Sequence, residues 1–290
     1  MANILVTGAG GQLGRQILHL ATGADITKPV LGFTSKELDI TDQDSVADAL
    51  NGQSGSVVIN CAAYTAVDAA ETDEARARAI NAEGPRLLAQ QCAKVGARLV
   101  HVSTDYVFDG TSPTPYEPEH PTAPRSAYGR TKLAGEEAVL EALPSANVVR
   151  TAWVYTGIGS DFVSTMLRLE RERDTVSVVN DQTGSPTYAR DLAAGLLELA
   201  SEDGVDEQIL HLTNAGTASW YELARAVFAG IGADPDRVHP CSSSEYLRPA
   251  PRPEFSVLSG AAWQRAGLTP LRSWQDALGD ALSIARATRT

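Results

Sequence analysis

Apolar and polar positions alternate in blocks along the first half of the chain. Short apolar runs that suit buried strands lie near residues 3–7, 29–33, 57–61, 98–102 and 147–151. The segments between them carry apolar residues at helical spacing. Strands that alternate with helices predict successive βαβ units, a parallel sheet and right-handed crossovers. We therefore predict an α/β fold with a doubly wound parallel sheet.

Between the first four of these strands, three helices are predicted. The first covers Gln12–Ala21, directly after a glycine-rich turn. The second is expected to begin at Thr41, with Asp44 three residues later completing a capping box. The third is a long alanine-rich helix from about residue 71 to residue 95.

The regular alternation fades after Trp153, and loops mix with helices predicted near 187–201, 219–230 and 273–287. The last two helices begin with capping boxes. These boxes pair Ser219 with Glu222 and Ser273 with Asp276. We expect a cofactor domain over 1–152 and mainly a substrate lobe over 153–290, with an interleaved boundary across which some segments return to the sheet.

Two segments are rich in proline. The stretch 111–125 contains five prolines and can form neither a helix nor a central strand. It is either a surface excursion or a loop that walls a substrate cleft. The second segment, 248–253, is a rigid, basic and polyproline-like run that contains Arg248 and Arg252.

Charge and cysteine content narrow the class of protein. The formal net charge is -12, which argues against a nucleic-acid binder because such proteins cluster Lys and Arg against phosphates. No apolar stretch approaches the length of a membrane span, and no signal peptide is apparent. Three widely spaced cysteines fit packing roles in a reducing compartment. We expect a cytoplasmic protein that binds neither membranes nor nucleic acids.

A glycine-rich turn, Gly8-Ala-Gly10-Gly11-Gln12-Leu13-Gly14, lies between the first predicted strand and the first helix. Glycines at such a junction allow a tight turn and a close approach of the backbone to a pyrophosphate. Free amides at the helix start face the phosphates. This context favours a dinucleotide-binding, Rossmann-type sheet over an ordinary turn.

The end of the second strand bears on the choice of cofactor. Gly32-Phe-Thr-Ser35-Lys36 contains no acid that could bind the ribose 2′-hydroxyl of NAD, whereas Ser35 and Lys36 could accept a 2′-phosphate. We predict that NADPH is preferred or well used and that NADH remains possible.

Tyr128 and Lys132 are four residues apart and share one face of a predicted helix. An ammonium near a phenol favours the phenolate and lowers the phenol pKa from its ordinary value of about 10. Tyr128 could then protonate a carbonyl oxygen as a hydride reaches the carbon, and Lys132 could also bind the nicotinamide ribose. Thr104, at the carboxyl end of a predicted strand, could donate a hydrogen bond to the same oxygen. The pair could also be ordinary neighbours on a solvated helix face.

Over nearly its whole length the chain resembles the dTDP-4-dehydrorhamnose reductase family of extended short-chain dehydrogenases/reductases. Six motifs in the family's order carry the resemblance. They are the glycine turn 8–14, Asn60-Cys-Ala-Ala-Tyr-Thr-Ala-Val-Asp68, Ser103-Thr-Asp-Tyr-Val-Phe-Asp-Gly110, Tyr128-Gly-Arg-Thr-Lys132, Arg150-Thr-Ala-Trp-Val-Tyr155 and Asn180-Asp-Gln-Thr-Gly-Ser-Pro-Thr187.

The resemblance implies NADPH-dependent reduction of the C4 ketone of dTDP-4-dehydro-β-L-rhamnose, the last step of dTDP-L-rhamnose biosynthesis. It also assigns roles by motif. The implied catalytic residues are Thr104, Tyr128 and Lys132. The implied cofactor-binding residues include Gly8, Gly10, Gly11, Gln12, Leu13, Asp39, Ile40, Ala62, Ala63, Tyr64, Thr65, Tyr128 and Lys132. The implied substrate-binding residues are Thr65, Thr104, Asp105, Tyr106, Tyr128, Trp153, Gln182 and Arg252.

Other functions on the same scaffold stay open. A 4,6-dehydratase needs a carboxylate base where this chain has Tyr106, so dehydration is disfavoured. An epimerase would retain a bound NAD, and homologous regulatory subunits of methionine adenosyltransferase bind NADP without catalysis. Trp153 could equally be a core residue, and 180–187 an ordinary turn. The residues alone leave open which of Arg248 and Arg252 meets a substrate phosphate.

Some members of the family form dimers held by Mg²⁺ through glutamates. The corresponding positions here are Arg15 and Arg190. Two guanidinium groups repel a divalent cation. We therefore predict no metal site, and a monomer or a weak homodimer.

Overall fold

A computed structural model describes residues 2–23, 28–205 and 208–287. The strands are β1 (Ile4–Thr7), β2 (Val30–Phe33), β3 (Val57–Asn60), β4 (Arg98–Thr104), β5 (Asn147–Thr151), β6 (Val154–Tyr155), β7 (Val176–Val179), β8 (Thr183–Gly184), β9 (Thr187–Tyr188), β10 (Ile209–His211), β11 (Ala218–Ser219) and β12 (Val238–Cys241). The α-helices are α1 (Gln12–Ala21), α2 (Gln43–Leu50), α3 (Val67–Ala70), α4 (Glu74–Arg78), α5 (Gly84–Val95), α6 (Ala127–Ala142), α7 (Phe162–Glu172), α8 (Ala189–Ser201), α9 (Trp220–Gly230), α10 (Ala261–Arg265) and α11 (Trp274–Ala287). A π-helix covers Ala79–Glu83, and 3-10 turns cover Asp105–Val107 and Pro235–Arg237.

One parallel sheet organises the fold, in the strand order β10-β5-β4-β3-β1-β2. The α/β prediction is confirmed, and all five predicted strands are present. The sixth strand, β10, was not predicted as a strand. It is only three residues long, and it pairs Ile209 with Val148 at the edge of the sheet. So short a run carries little periodic signal.

Two helix predictions for the first half need correction. Helix α2 begins at Gln43, and its cap is Asp42, which accepts the amide of Asp44. Thr41 is not the cap, because its hydroxyl donates to the Asp39 carboxylate at 2.7 Å instead. The single helix expected over 71–95 is broken into α4, the π-helix and α5. Pro85 explains the new start, since a proline without an N–H suits the first turn of a helix.

In the second half, the three predicted helices are present as α8, α9 and α11. Ser219 forms the predicted capping box with Glu222. Helix α7 was not predicted, although Asp161 caps it by accepting the amide of Ser164 at 2.8 Å.

Segments of the second half pack on the sheet as well as beside it. Helix α8 lies against α1, and its Leu192 and Leu196 join Ile4 and Val6 in one buried cluster. A separate cluster forms between α7, α9 and α11. The predicted domain boundary after residue 152 stays a prediction. No helix within the described ranges is long and apolar enough to cross a membrane.

The proline-rich loop 111–125 is anchored by one buried aromatic residue. Tyr116 stacks on Phe108 at a centroid distance of 4.2 Å and forms a bridge with Leu258. Its hydroxyl donates to Asp109 at 2.6 Å and accepts the amide of Thr111 at 2.9 Å. These contacts fix the loop to the segment that contains Leu258.

A buried ion pair fixes α6 to the sheet. Arg150 of β5 donates to Glu136 of α6 through both Nε and a terminal nitrogen, and the latter bond is 2.7 Å long. Both side chains are 2% exposed. Ser103 of β4 donates to the same carboxylate at 2.5 Å, and Arg150 also donates to the Pro118 carbonyl. The pair therefore joins α6, β4, β5 and the proline-rich loop.

We expect Arg150→Met to lower the free energy of unfolding by about 3–5 kcal/mol, because it leaves the buried Glu136 carboxylate without its cationic partner, with only the Ser103 hydroxyl still bound to it. Urea unfolding followed by circular dichroism measures the change. Arg168→Met is the matched control, since the Arg168–Glu172 pair is exposed and should contribute at most about 1 kcal/mol. Equal losses in the two variants would contradict a special role for the buried pair.

Candidate active site

The glycine turn after β1 has the geometry of a phosphate cradle. Gly8 has a φ of +66°, and a Cβ there would lie 2.7 Å from the Ala62 backbone nitrogen. A Cβ on Gly14 would lie 2.5 Å from the Gly8 carbonyl oxygen. Helix α1 begins at Gln12 with no side-chain cap on its first amides. The turn therefore brings a helix start, with uncapped N–H groups, against the end of β3.

The predicted phosphate-contacting residues lie on the open side of this turn. Gly10, Gly11 and Gln12 are exposed, whereas Leu13 is half-buried and packs against the cluster under the sheet. Gly10 lies close to the end of β2, because a Cβ there would be 3.7 Å from Thr34. The cradle and the β2 terminus thus border one surface.

The end of β2 differs in one respect from the expectation. Ser35 and Lys36 are exposed as predicted for a 2′-phosphate contact. The prediction that no acid lies at the end of β2, however, was wrong. Glu37 folds back so that its carboxylate accepts both the amide and the hydroxyl of Thr34, each at 2.8 Å. A carboxylate therefore lies beside the two residues expected to bind the phosphate.

Asp39 and Ile40, which the family match places by the adenosine, have different environments. Asp39 is exposed, and its carboxylate accepts the amide and hydroxyl of Thr41, which lower its pKa. Ile40 is buried against α5, where a Cβ on Gly84 would lie 2.7 Å from its side chain. Ile40 therefore supports the loop from beneath, while Asp39 remains open to a ligand.

The segment after β3 is held from two sides. Asn60 accepts the amide of Ala62 at 3.1 Å and the hydroxyl of Thr7 at 2.6 Å. Asn81, in the π-helix, accepts the amide of Tyr64 at 2.8 Å and donates to its carbonyl at 3.1 Å. The predicted nicotinamide-side residues are fixed by these contacts. Ala62, Ala63 and Tyr64 are half-buried, and Thr65 is exposed.

Thr104, Tyr128 and Lys132 are brought together as the sequence predicted. Thr104 ends β4, and Tyr128 and Lys132 lie one turn apart on α6. The Thr104 hydroxyl hydrogen-bonds to the Tyr128 phenol, and this interaction on its own lowers the phenol pKa. The Lys132 ammonium donates to the Val102 carbonyl at 2.7 Å and is almost fully buried. One hydroxyl, one phenol and one ammonium therefore converge at the carboxyl end of β4.

The pKa of Tyr128 was expected to fall, and the structure contradicts this. Burial raises the pKa of Tyr128 to about 12, and the carboxylate of Asp105 adds to the rise. The opposing effect comes from the Thr104 hydroxyl rather than from Lys132, and it is smaller than the effect of burial. At neutral pH the phenol thus holds its proton, as a proton donor must.

The pKa of Lys132 shifts in the opposite direction to that of Tyr128. Burial lowers the pKa of Lys132 to about 8, because a charged ammonium loses hydration inside the protein. Glu136, one turn further along α6, opposes this shift. That carboxylate is already bound by Arg150, so it compensates Lys132 only in part.

Asp105 and Tyr106 follow Thr104 in a 3-10 turn. Burial raises the pKa of Asp105 to about 6, whereas the hydroxyls of Ser256 and Thr104 oppose the shift. Among the described residues, Asp105 Oδ2 has no hydrogen bond of ordinary geometry. The Tyr106 ring meets the Tyr128 ring edge-on at 5.5 Å. Both residues thus border the phenol of Tyr128.

A cleft of 470 Å³ opens beside Tyr106. It lies between the sheet and the second half of the chain, and its lining includes Tyr106, Gln182, Trp220, Arg248 and Arg252. Gln182 is buried and donates to the Ser243 hydroxyl at 2.8 Å. Apolar, aromatic and cationic groups in one cleft suit a ligand that combines a ring with an anionic group.

Trp153 lies next to this cleft in an uncommon backbone conformation. It has a φ of +48°, and its ring stacks on Trp220 at 3.5 Å with an interplanar angle of 5°. A Cβ on Gly184 would collide with the indole of Trp153. Trp220, which sequence reasoning missed, therefore lies between Trp153 and the cleft.

Three further residues that the sequence argument did not assign support the site. Asn81 binds the Tyr64 backbone, Glu136 faces Lys132, and Asp68 contacts Arg252 at 3.0 Å. The spacing of Glu136, four residues after Lys132, could have indicated a shared helix face. Asn81 gave no such signal, because it lies inside an alanine-rich run.

The two arginines at the family's metal positions lie on neighbouring helices. Arg15 is on α1 and Arg190 is on α8, and these helices pack together. Within the described ranges, no group of three or more His, Cys, Asp or Glu residues could hold a metal ion. That no metal binds stays a prediction.

Comparison with known proteins finds relatives over nearly the whole chain. Residues 1–287 match the family model described as the RmlD substrate binding domain. A dTDP-4-dehydrorhamnose reductase of Mycobacterium tuberculosis is 55% identical over 285 residues, which cover 97% of this chain and 92% of that protein. A crystal structure of a dTDP-4-dehydrorhamnose reductase from Clostridium acetobutylicum has a TM-score of 0.92 at 40% identity, covering 98% of this chain and 99% of that one. The Bacillus anthracis dTDP-4-dehydrorhamnose reductase, solved in complex with NADP, has a TM-score of 0.87 at 37% identity, covering 96% and 98%.

The lowered pKa of Lys132 predicts a pH dependence of stability. Between the pKa of about 8 in the folded protein and the ordinary lysine pKa of 10.5, the unfolded chain binds the proton that the folded chain has lost. The Lys132 contribution to the free energy of unfolding should therefore rise with pH across this window, by at most about 1.4 kcal/mol per pH unit.

Urea unfolding of the wild type and Lys132→Met at pH 7, 8, 9 and 10 isolates this contribution. The stability difference, wild type minus variant, should increase with pH, since all other titrating groups are shared. Parallel stability profiles for the two proteins would show that Lys132 keeps its ordinary pKa in the folded state.

Proposed function

Since the chain belongs to the family of the RmlD substrate binding domain, with dTDP-4-dehydrorhamnose reductases among its relatives, we propose that it reduces the C4 ketone of dTDP-4-dehydro-β-L-rhamnose. The product is dTDP-β-L-rhamnose, and the step is the last of dTDP-L-rhamnose biosynthesis. Membership of the family makes the chain an oxidoreductase that uses a nicotinamide cofactor. The sugar, the nucleotide and the preference for NADPH are the proposal.

The observation that carries the proposal is the convergence of Thr104, Tyr128 and Lys132 beside the glycine turn. A bound nicotinamide would supply the hydride that reaches the ketone carbon. Tyr128 holds its proton at neutral pH because its pKa is about 12, and it delivers that proton to the ketone oxygen as charge develops there. Thr104 donates to the same oxygen and stabilises the charge.

Lys132 has a different part in the reaction. Its ammonium lies at the sheet side of the site, bonded to the Val102 carbonyl, and it would bind the nicotinamide ribose. A positive charge there also favours the electron-rich transition state around the ketone oxygen. Tyr128 and Lys132 thus divide proton donation and electrostatic stabilisation between them.

The cleft beside Tyr106 suits the nucleotide part of the substrate. Arg252 and Arg248 supply cations for a diphosphate, which the chain needs locally because its net charge is -12. Trp220 and Gln182 supply an aromatic face and an amide for the remaining groups. Trp153, behind Trp220, would reach the sugar only if its ring leaves the stack.

We expect the wild type to oxidise NADPH, followed at 340 nm, when supplied with enzymatically prepared dTDP-4-dehydro-L-rhamnose. Tyr128→Phe should lower turnover by orders of magnitude while NADPH still binds, because only the proton donor is lost. Thr104→Val should lose one hydrogen bond to a charged group, roughly 1.5–3 kcal/mol of transition-state stabilisation.

The same assay separates the alternatives. No NADPH decay with authentic substrate, despite tight cofactor binding, would favour a regulatory NADP-binding subunit. Purification with stoichiometric NAD would favour an epimerase. Near-normal turnover of Tyr128→Phe would remove Tyr128 as the acid while leaving the reductase assignment intact.

Substitutions at the end of β2 test the proposed preference for NADPH over NADH. Lys36→Ala should raise KM for NADPH by about two- to fivefold, the effect of one exposed charge pair, and leave KM for NADH unchanged. Glu37→Gln, at the adjacent position, should change KM for NADPH in the opposite direction, because it removes a negative charge near the 2′-phosphate. An NADH preference that Lys36→Ala does not alter would contradict the proposed use of NADPH.

A further inference from the structure

One carboxylate of the first half of the chain holds the basic segment of the second half. Asp68 lies in α3, and its Oδ1 is 3.0 Å from a terminal nitrogen of Arg252 and accepts the Ala250 amide at 3.3 Å. Its Oδ2 is 3.7 Å from Arg248. Asp68 is the last residue of the motif 60–68, and no role in the reaction has been assigned to Asp68 itself. A contact that spans 182 positions in the chain joins the two walls of the cleft.

The segment held by Asp68 is stiff. Prolines at 249, 251 and 253 restrict the backbone and leave few amides that can donate. Asp68 binds the amide of Ala250, which lies between the first two prolines. A single carboxylate therefore fixes the backbone of the segment and the guanidinium of Arg252 together.

The Asp68 contact, together with the bond that Arg252 donates to the Ala250 carbonyl at 3.1 Å, sets the position of Arg252. Its guanidinium carbon is 6.0 Å from the centre of the Tyr106 ring, which in turn meets Tyr128 edge-on. The side chain of Arg252 is 21% exposed, whereas that of Arg248 is 48% exposed and lies over Tyr246 instead. Arg252 is thus the arginine placed one ring away from the proton donor.

We propose that Asp68 is a positioning residue that holds Arg252 in place for the diphosphate of the nucleotide substrate. The inference rests on the proposed function, because it takes a nucleoside diphosphate as the ligand. Arginine side chains lose much rotamer freedom when a ligand orders them, and a contact that orders them beforehand lowers that cost. The carboxylate also competes with the phosphate, but Asp68 engages one terminal nitrogen of Arg252, which leaves other N–H groups of the guanidinium for the phosphate.

Removal of the Asp68 charge should have two opposite effects on the affinity for dTDP, and the salt concentration separates them. Loss of a negative charge should strengthen the attraction of an anion, and this effect shrinks as added salt shortens the Debye length from about 8 Å at 0.15 M towards about 3 Å at 1 M. Loss of side-chain order does not depend on salt. At 0.5 M NaCl, Asp68→Asn should therefore weaken binding of dTDP, on the order of 3- to 10-fold, the effect of freeing one rotamer-rich side chain.

The experiment is calorimetric titration of the NADP-bound protein with dTDP and, separately, with uncharged thymidine. Asp68→Asn should weaken dTDP binding only. Asp203→Asn is the matched control, because the remote Asp203–Arg98 pair has a similar separation of 3.3 Å and should affect neither ligand. Arg252→Lys keeps the charge but not the planar two-point contact, so it should weaken dTDP binding without any change at Asp68.

A double-mutant cycle distinguishes positioning from a general loss of structure. Once Arg252→Gln has removed the guanidinium, Asp68→Asn should have no further effect on dTDP affinity. Additive losses, or dTDP binding that Asp68→Asn leaves equal or tighter at 0.5 M NaCl, would overturn the inference. A wild type that binds NADPH but neither dTDP nor thymidine would instead refute the proposed nucleotide-sugar function, and this inference with it.

Discussion

The close packing of α6 against the end of the sheet is the constraint on which the site depends. Gly129 and Gly135 have no room for a side chain, because a Cβ at either position would collide with the carbonyl oxygen of Tyr106 or Asn81. The buried pair of Glu136 and Arg150 then fixes the helix along its axis. A helix held this closely presents Tyr128 with little freedom, as a site accurate to a fraction of an ångström requires.

The same packing sets the protonation states of the site. Burial raises the pKa values of Tyr128 and Asp105 and lowers that of Lys132, in each case because the charged form loses hydration. The Tyr128 phenol is protonated at neutral pH, as it would be at its ordinary pKa of about 10, and burial extends this state to higher pH. A protonated phenol is the form that can donate a proton to a ketone oxygen. An activated phenolate is not required for reduction of a ketone.

The substrate side is assembled from segments far apart in the chain. Tyr106 follows a central strand, whereas Trp220 and Arg252 come from the second half, and Asp68 joins Arg252 to the first half. The second half also returns β10 to the edge of the sheet. This interleaving lines the cleft with residues that are ordered by both halves of the chain.

The sequence by itself determined the sheet, the glycine turn and the group of Thr104, Tyr128 and Lys132, because apolar periodicity and fixed helical spacing are local properties. Only the tertiary structure decided the pKa of Tyr128, the return of Glu37 to the end of β2, the stacking of Trp153 on Trp220 and the hold of Asp68 on Arg252. Each of these depends on burial or on contacts between distant segments, which no local pattern encodes. The candidate residues could therefore be predicted from the chain, whereas their electrostatic state and their partners could not.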